Sequence, residues 1–498
     1  MLRRIRVTLA SVFFILITLL FLDFTGVLHH YLGWMAKIQF LPAVLALNFA
    51  VIAILAVLTV LFGRIYCSVI CPLGVLQDVF GWMGKKAKKN RYTYSKANHW
   101  LRYTVLAVFA AALIFGIASL VALLAPYSAY GRIANNLFSP IYLWGNNVLA
   151  WFAERYDSYT FYHKDVLIKS AATFAVAAVT FVVLLVLAWR NGRTYCNNIC
   201  PVGTVLGALS RISVFKVAID KNKCVNCNLC VKNCKASCID IKNHRIDYSR
   251  CVVCGDCISK CKKDAISYTV KRTPEVSPEK SGQNISEGGL QRRRFIATAS
   301  VVAAGAAVAK AQDKLTDGGL EPIVPKQVLK RQTEIVPPGA MGLANLTSRC
   351  TGCQLCVSEC PNNVLRPSSD LMTLMQPRSS YERGFCRPEC TRCSEVCPTG
   401  AIKKITQAEK SSIQIGHAVW DAGLCLPMAD GVHCGNCSRH CPTGAITMVD
   451  VDPDEENGPQ FPVVDENICI GCGACEYVCP ARPISAIYVE GHQQHKLI

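Results

Sequence analysis

Apolar and polar positions divide this chain into unlike halves. Long apolar runs lie near residues 7–22, 38–62, 103–125 and 166–189. Each approaches the roughly 17–25 residues that a helix needs to cross a hydrocarbon core. Buried core helices of a soluble domain would give shorter runs with more charge among them. Residues 271–291 are rich in Pro, Ser, Gly and charge and show no apolar period, and beyond residue 313 no apolar span recurs. The pattern predicts an α-helical membrane bundle of four spans, with a possible short fifth at 297–309, joined to α+β domains of ferredoxin-like type. The boundaries it sets are 1–213 for the membrane domain, 214–270 for a first small domain, 271–312 for a linker and 313–498 for a second.

Basic residues give the bundle a direction. Arg3, Arg4 and Arg6 precede the first run, and the connection after the second carries Arg64, Lys85, Lys86, Lys88, Lys89, Arg91, Lys96 and Arg102 against the acid Asp78. Arg190, Arg193, Arg211 and Lys216 follow the fourth run, whereas the loop between the third and fourth balances its charges. By the positive-inside rule both ends of the bundle face the cytoplasm. The formal charge of +19 is then largely a matter of topology, and a nucleic-acid partner is not needed.

The bundle contains a repeat. Gly63-Arg64-Ile65-Tyr66-Cys67-Ser68-Val69-Ile70-Cys71-Pro72-Leu73-Gly74 returns as Gly192-Arg193-Thr194-Tyr195-Cys196-Asn197-Asn198-Ile199-Cys200-Pro201-Val202-Gly203, just past the second and fourth runs. Cysteines at i and i+4 share one helical face, and the proline tends to end the helix. Cys67, Cys71, Cys196 and Cys200 could converge as a metal centre, as redox dithiols or as packing.

Cysteine usage changes the picture most. There are 29, most of them two or three residues apart, too close to cross-link distant parts of a disulfide scaffold. Cys224, Cys227, Cys230 and Cys234 form C-x2-C-x2-C-x3-C, and Cys251, Cys254, Cys257 and Cys261 repeat it. This is the spacing of two-cluster ferredoxins, where three cysteines hold one cubane and the fourth reaches the neighbouring one. Cys261 is therefore expected with Cys224, Cys227 and Cys230, and Cys234 with Cys251, Cys254 and Cys257. Structural zinc prefers two close pairs separated by a longer span. Lys235 and Lys262 stand where such ferredoxins usually carry proline, and Cys238 is left over as a plain buried thiol.

Four further sets follow: Cys350, Cys353, Cys356 and Cys360; Cys386, Cys390, Cys393 and Cys397; Cys425, Cys434, Cys437 and Cys441; and Cys469, Cys472, Cys475 and Cys479, each followed by proline. The string Cys-Pro-Thr-Gly-Ala-Ile, at Cys397 and Cys441, marks duplication. Six sets imply about six [4Fe–4S] clusters. No C-x-x-C-H, Walker loop, dinucleotide fingerprint or nucleophile triad occurs, so the chemistry on offer is electron transfer. Between the two cysteine-rich domains, Arg292-Arg293-Arg294-Phe295-Ile296, a weakly apolar run and Ala309-Lys310-Ala311 have the three parts of an export signal of twin-arginine type. Export would place the second domain across the membrane from the first.

The first half resembles the NapH family of membrane polyferredoxins, in its four spans, two C-x-x-x-C-P motifs and two-cluster ferredoxin. The second half resembles the NapG/MauM family of exported four-cluster ferredoxins, in its twin arginines, Pro337-Pro338-Gly339-Ala340 and Cys479-Pro480-Ala481-Arg482-Pro483-Ile484. The two resemblances cover nearly the whole chain, as if two proteins were fused. They imply a component of a quinol dehydrogenase in the bacterial cytoplasmic membrane, with its first ferredoxin cytoplasmic and its last domain periplasmic. It would take electrons from the (mena)quinol pool and pass them to a periplasmic reductase or cytochrome, a nitrate reductase system among them. Asp23, His29 and His30, near the outer end of the first span, are the candidate quinol contacts. The resemblance further implies that outer cysteine sets share ligands, as do inner ones. Cys479 would complete the Cys350 cluster and Cys360 the Cys469 cluster, with Cys441 completing the Cys386 cluster and Cys397 the third. The alternative function is a redox factor in the assembly of a metalloenzyme, for which the C-x-x-x-C-P thiols could handle copper or a disulfide.

Overall fold

A computed structural model describes residues 2–87, 92–270, 316–317, 321–322, 324–452, 454 and 458–498. The arginine triplet at 292–294 and the short apolar run at 297–309 lie outside the described residues.

Among the described residues two helices are long and apolar enough to cross a membrane, Leu2–Leu22 and Ala171–Asn191, each of 21 residues. At 1.5 Å per residue each spans about 31 Å. The second and third apolar runs are broken. The second divides at Leu47, which takes a left-handed conformation (φ 53°), and at Asn48, whose side chain accepts a hydrogen bond from Val51 N and starts the helix Phe49–Phe62. The third divides at Gly116 into His99–Ile114 and Ala118–Leu124. A single polar cap or glycine inside an apolar stretch redirects the chain without lowering its mean hydropathy.

The sequence repeat is a structural repeat. Gly63 (φ 76°) and Gly192 (φ 69°) end the helices before them in a conformation that disfavours side chains. One-turn helices Ile65–Val69 and Thr194–Asn198 follow, and Cys71 and Cys200 then stand just before the helices Pro72–Lys86 and Pro201–Leu209. The prolines do more than end a helix. Each occupies the first turn of the next one, where a missing N–H costs nothing. The Pro72–Lys86 helix packs along Ala171–Asn191, with Phe80 edge-on to Phe181 at 5.3 Å between ring centroids.

The two cysteine-rich domains dock at opposite ends of this helical body. The domain at 214–270 meets the start of Leu2–Leu22, the end of Phe49–Phe62 and the start of His99–Ile114. Arg3 Nε donates to Asp256 (2.8 Å), Tyr268 OH to Phe62 O (2.9 Å), and Arg102 Nη1 to Ser249 Oγ (3.0 Å). Its frame is an antiparallel pair, Phe215–Ile219 with Ile266–Val270, aligned at Val217 and Tyr268. The later domain meets the other end. Asn135 and Asn136 both donate to Gln354 Oε1, and Lys169 Nζ donates to Val357 O. Its main pairs are Ile413–Trp420 with Ile487–Leu497 and Ile446–Asp450 with Gln460–Val464, both antiparallel. One buried core runs from Ile17 and Leu20 through Tyr66, Cys67 and Cys196 to Val336, Cys353 and Leu355, so this domain shares its core with the helices.

Candidate iron–sulfur sites

Six short helices position the cysteine sets. Leu229–Lys232, Asp256–Lys260, Leu355–Ser358, Arg392–Val396, Asn436–Arg439 and Ala474–Val478 each carry the third cysteine of their set. Before four of them the chain takes a left-handed residue, Asn228, Gly255, Gln354 or Gly473. That turn folds the first two cysteines back toward the third. Backbone N–H groups approach several sulfurs: Gly352 N lies 3.4 Å from Cys350 Sγ, Ala265 N 3.3 Å from Cys261 Sγ, and Ile402 N 3.4 Å from Cys397 Sγ. Such contacts stabilise thiolate charge and tune the potential of a bound cluster.

In the first ferredoxin, Cys224, Cys227, Cys230 and Cys261 line one cavity of about 160 Å³, walled by Ile241 and Ile266. Cys257 has Cys254, Cys251 and Cys234 as its charge neighbours. The fourth cysteines are exchanged between the two sets. Cys238 is more than packing: its Sγ lies 3.6 Å from Cys234 Sγ, and its thiol also reaches Cys251.

The later domain exchanges fourth cysteines between neighbouring sets, contrary to the outer-with-outer order that the resemblance implied. Cys356 has Cys350, Cys353 and Cys397 beside it. Cys360 lines a pocket with Cys386, Cys390 and Cys393. Cys425, Cys434 and Cys437 share theirs with Cys479, and Cys469 and Cys472 have Cys441 as neighbour. The reason is local. Leu355–Ser358 packs against Arg392–Val396, and Asn436–Arg439 against Ala474–Val478, as the paired helices of the first ferredoxin do. Each pair of sets closes as a two-site unit. Cys425, the distant member of the stretched third set, is buried in its group.

Among the described residues no group of three or more His, Cys, Asp or Glu side chains closes tightly enough to grip a single metal ion. The looser groups of four thiols around a small cavity suit a polynuclear cluster, which supplies reversible one-electron storage when bound. Burial pushes the Cys353 and Cys254 thiols up to about 12, so these sites release protons as they take up iron.

A family model described as a 4Fe-4S binding domain matches residues 44–90 and 173–220, one copy per C-x-x-x-C-P repeat. Two models described as 4Fe-4S dicluster domains match residues 349–402 and 432–482, the two thiol units except for Cys425, which lies before the second match. The chain is similar to the ferredoxin-type proteins of the Nap and Mau systems. The methylamine utilization ferredoxin-type protein MauM of Methylobacillus flagellatus is 33% identical over 152 residues, which are 30% of this chain and 64% of that one. Ferredoxin-type protein NapH of Escherichia coli is 29% identical over 196 residues, 39% of this chain and 55% of NapH. Ferredoxin-type protein NapF of the same organism is 27% identical over 164 residues, 33% of this chain and 90% of NapF. The chain thus spans between half and two-thirds of the length of MauM and NapH. Its 4Fe-4S domain matches are those of ferredoxin-type proteins.

The structure places buried cations beside the thiols that sequence reading missed. Lys410, 4% exposed, donates to Arg387 O and Cys390 O next to Cys386 and Cys393. Lys169 lies near Cys360 and Cys356 and donates to Val357 O. Positive charge this close favours the reduced, more anionic state of a cluster.

The expected quinol contacts have other partners. The Asp23 carboxylate accepts hydrogen bonds from Thr25 N, Thr25 Oγ1, Gly26 N and Leu28 N. Burial alone would raise its pKa, but these bonds outweigh it and hold the group below the usual range. Asp23 thereby shapes the turn after the first helix. His29 faces Glu359 of the later domain at 3.7 Å, both buried. Burial lowers His29 to about 4 and raises Glu359 to about 7, so at neutral pH they are not a fixed ion pair. His30 is exposed, edge-on to Tyr31.

Close packing of the repeats gives a stability test. A Cβ on Gly74 would lie 2.3 Å from Cys67 O, and one on Gly203 2.3 Å from Cys196 O. Gly203→Ala is expected to destabilise the helical body by about 1–3 kcal/mol, the usual range for overpacking, measured by chemical unfolding in detergent. An unshifted transition would show that the Cys196 turn and the helix that follows it can move apart within the repeat.

Proposed function

We propose that this chain is a membrane-bound component of a quinol dehydrogenase, which draws electrons from the quinol pool at one membrane face and delivers them to a redox partner at the other. The observation that carries the reading is the docking of the two cysteine-rich domains at opposite ends of one helical body. With the four apolar runs as spans, the basic flanks put the 214–270 domain in the cytoplasm and the later domain in the periplasm. The resemblance to NapH supports quinol as donor, and a periplasmic reductase or cytochrome is the acceptor this topology serves. Six groups of four cysteines, those of the first ferredoxin and of the later domain, hold about six [4Fe–4S] clusters.

Quinol is placed at the inner end rather than at Asp23, His29 and His30. A cavity of about 440 Å³ opens between the Leu2–Leu22 helix, the Pro72–Lys86 helix and the first ferredoxin. Val7, Val75, Val79 and Trp82 form its apolar wall; Lys235 and Asp256, which also neighbour Cys254, form a polar one. Its size and mixed lining suit a ring with two hydroxyls, and its half-exposed Val79 and Trp82 give access from lipid. Oxidation there yields quinone, two protons and two electrons, the electrons entering beside Cys254.

The test is addition of a reduced menaquinone analogue to anaerobically purified protein in detergent, with cluster EPR signals followed in time. Val79→Trp, which fills the cavity, is expected to slow quinol-driven reduction at least tenfold and leave dithionite reduction unchanged. Clusters that accept electrons from dithionite and ignore quinol would refute the donor and turn attention to a role in metalloenzyme assembly. Unimpaired quinol reduction in Val79→Trp would refute the cavity alone.

A further inference from the structure

Besides Cys238, four cysteines stand outside the six ferredoxin sets, and these lie in the helical body. Cys67 and Cys71 come from the first repeat and Cys196 and Cys200 from the second, all 3–4% exposed. The Cys71 thiol lies within electrostatic reach of Cys196 and Cys67, and Cys200 within reach of Cys196, Cys71 and Cys67. Neither repeat alone has the ligands for an iron–sulfur cluster; together they have four.

The surroundings are built for negative charge. Arg64 is fully buried, and among the described residues no carboxylate pairs with it. Its guanidinium donates to Asn197 Oδ1, Ser249 O and Cys196 O, lies 3.8 Å from Cys67 Sγ, and leaves Nε unpartnered. An isolated buried cation is costly unless an anion lies close. Its counterpart Arg193 reaches the other way, to Cys67 O at 2.5 Å, so each repeat's arginine braces the other repeat's cysteine turn. Gln77 Nε2 donates to Cys196 Sγ at 3.1 Å. Four thiolates around an iron–sulfur core of charge +2 carry −2, the sign these donors call for.

The same residues point in both directions. Toward the first ferredoxin, Arg64 holds Ser249 O and influences Cys251. Toward the later domain, Tyr195, adjacent to Cys196, donates to Leu124 O and neighbours Arg132. Arg132 is itself fully buried, bonded to Ala122 O, with two guanidinium nitrogens unpartnered and Cys353 as its charge neighbour. We infer that Cys67, Cys71, Cys196 and Cys200 jointly hold one iron–sulfur centre, and that this centre is the electron bridge between the first ferredoxin and the later domain. One electron at a time leaves the reduced first ferredoxin, resides on the bridge and reduces the site of Cys350, Cys353, Cys356 and Cys397. The inference does not depend on quinol as donor.

The experiment uses the full chain with a chemical reductant. Six cubanes account for about 24 irons per chain, and a seventh centre adds about two to four. C67A/C196A, which removes one ligand from each repeat, is expected to lose that increment and one centre from a potentiometric EPR titration. In liposomes enclosing ferricyanide, external dithionite should bleach the trapped oxidant through wild-type protein and at least tenfold more slowly through C67A/C196A. If the variant does not fold, the wild type still decides: an iron content and centre count explained by six clusters, a Cys67–Cys71 or Cys196–Cys200 disulfide in the peptide map, or copper in place of the extra iron overturns the centre. Wild-type protein with all its clusters that fails to bleach ferricyanide overturns the bridge.

Discussion

The double variant C350A/C397A is expected to lose about four irons per chain, not about eight. Both cysteines belong to one group in the structure, with Cys353 and Cys356, so their joint removal empties one site. Under the outer-with-outer and inner-with-inner order, Cys350 would serve one cluster and Cys397 another, and two would go. C360A/C386A should likewise cost a single cluster, since both line the same pocket, whereas C350A/C386A should cost two in either scheme and calibrates the assay. Iron analysis with Mössbauer spectroscopy of ⁵⁷Fe-loaded protein reads the count directly. Because ligation supplies folding energy in small metallo-domains, the emptied site should also lower the unfolding temperature of the later domain. A loss near eight irons in C350A/C397A would show that the fourth cysteines cross between the two dicluster units.

Much of this arrangement was legible in the sequence, and what escaped has physical reasons. The four apolar runs mark the helical body, although among the described residues only two of them form unbroken helices of spanning length. Their breaks at Leu47–Asn48 and Gly116 escaped because one residue can redirect a chain while leaving the average untouched. The repeat of Gly63–Gly74 in Gly192–Gly203 was plain, but the exchange of Arg64 and Arg193 between copies was not, since it depends on how the copies face each other. In the first ferredoxin the two cysteine sets are adjacent, and motif spacing anticipates the grouping of their thiols. In the later domain four sets allow several pairings. The choice is made by which short helices pack together, and motif spacing does not encode it. Arg132, Lys169 and Lys410 belong to no motif; only Arg132, inside the otherwise small and aromatic stretch Pro126–Ile133, offered a hint. Asp23 was rightly marked as a polar group at a helix end, but a capping carboxylate and a ligand-binding one read alike in sequence.

Asp78→Asn should be among the most damaging single changes outside the cysteines, costing about 3–5 kcal/mol. The Asp78 carboxylate accepts from Arg193 Nε (2.7 Å), Arg6 Nη1 (2.7 Å) and Lys235 Nζ (2.8 Å). One side chain thus ties together the first helix, the second repeat and the first ferredoxin. Burial by itself would raise its pKa, but Arg193, Lys235 and Arg6 outweigh that and hold it far below the usual carboxylate range. A depressed folded-state value means that the stabilisation is fully present above the unfolded-state pKa near 3.8 and fades only as the pH falls toward the folded one. The network is therefore intact throughout the physiological range, and asparagine removes it there. Asparagine keeps the shape and loses the charge, leaving Arg193, which is fully buried, and Arg6, 7% exposed, without their carboxylate. Asp78→Asn is accordingly expected to unfold at lower denaturant in detergent and to expose the junction near Lys235 to protease, with Asp78→Glu intermediate. In a double-mutant cycle with Arg193→Gln, the second change should cost much less in the Asp78→Asn background, with a coupling of about 1–3 kcal/mol. Additive losses would mean that Arg193 is held chiefly by Cys67 O and that the first ferredoxin is anchored elsewhere.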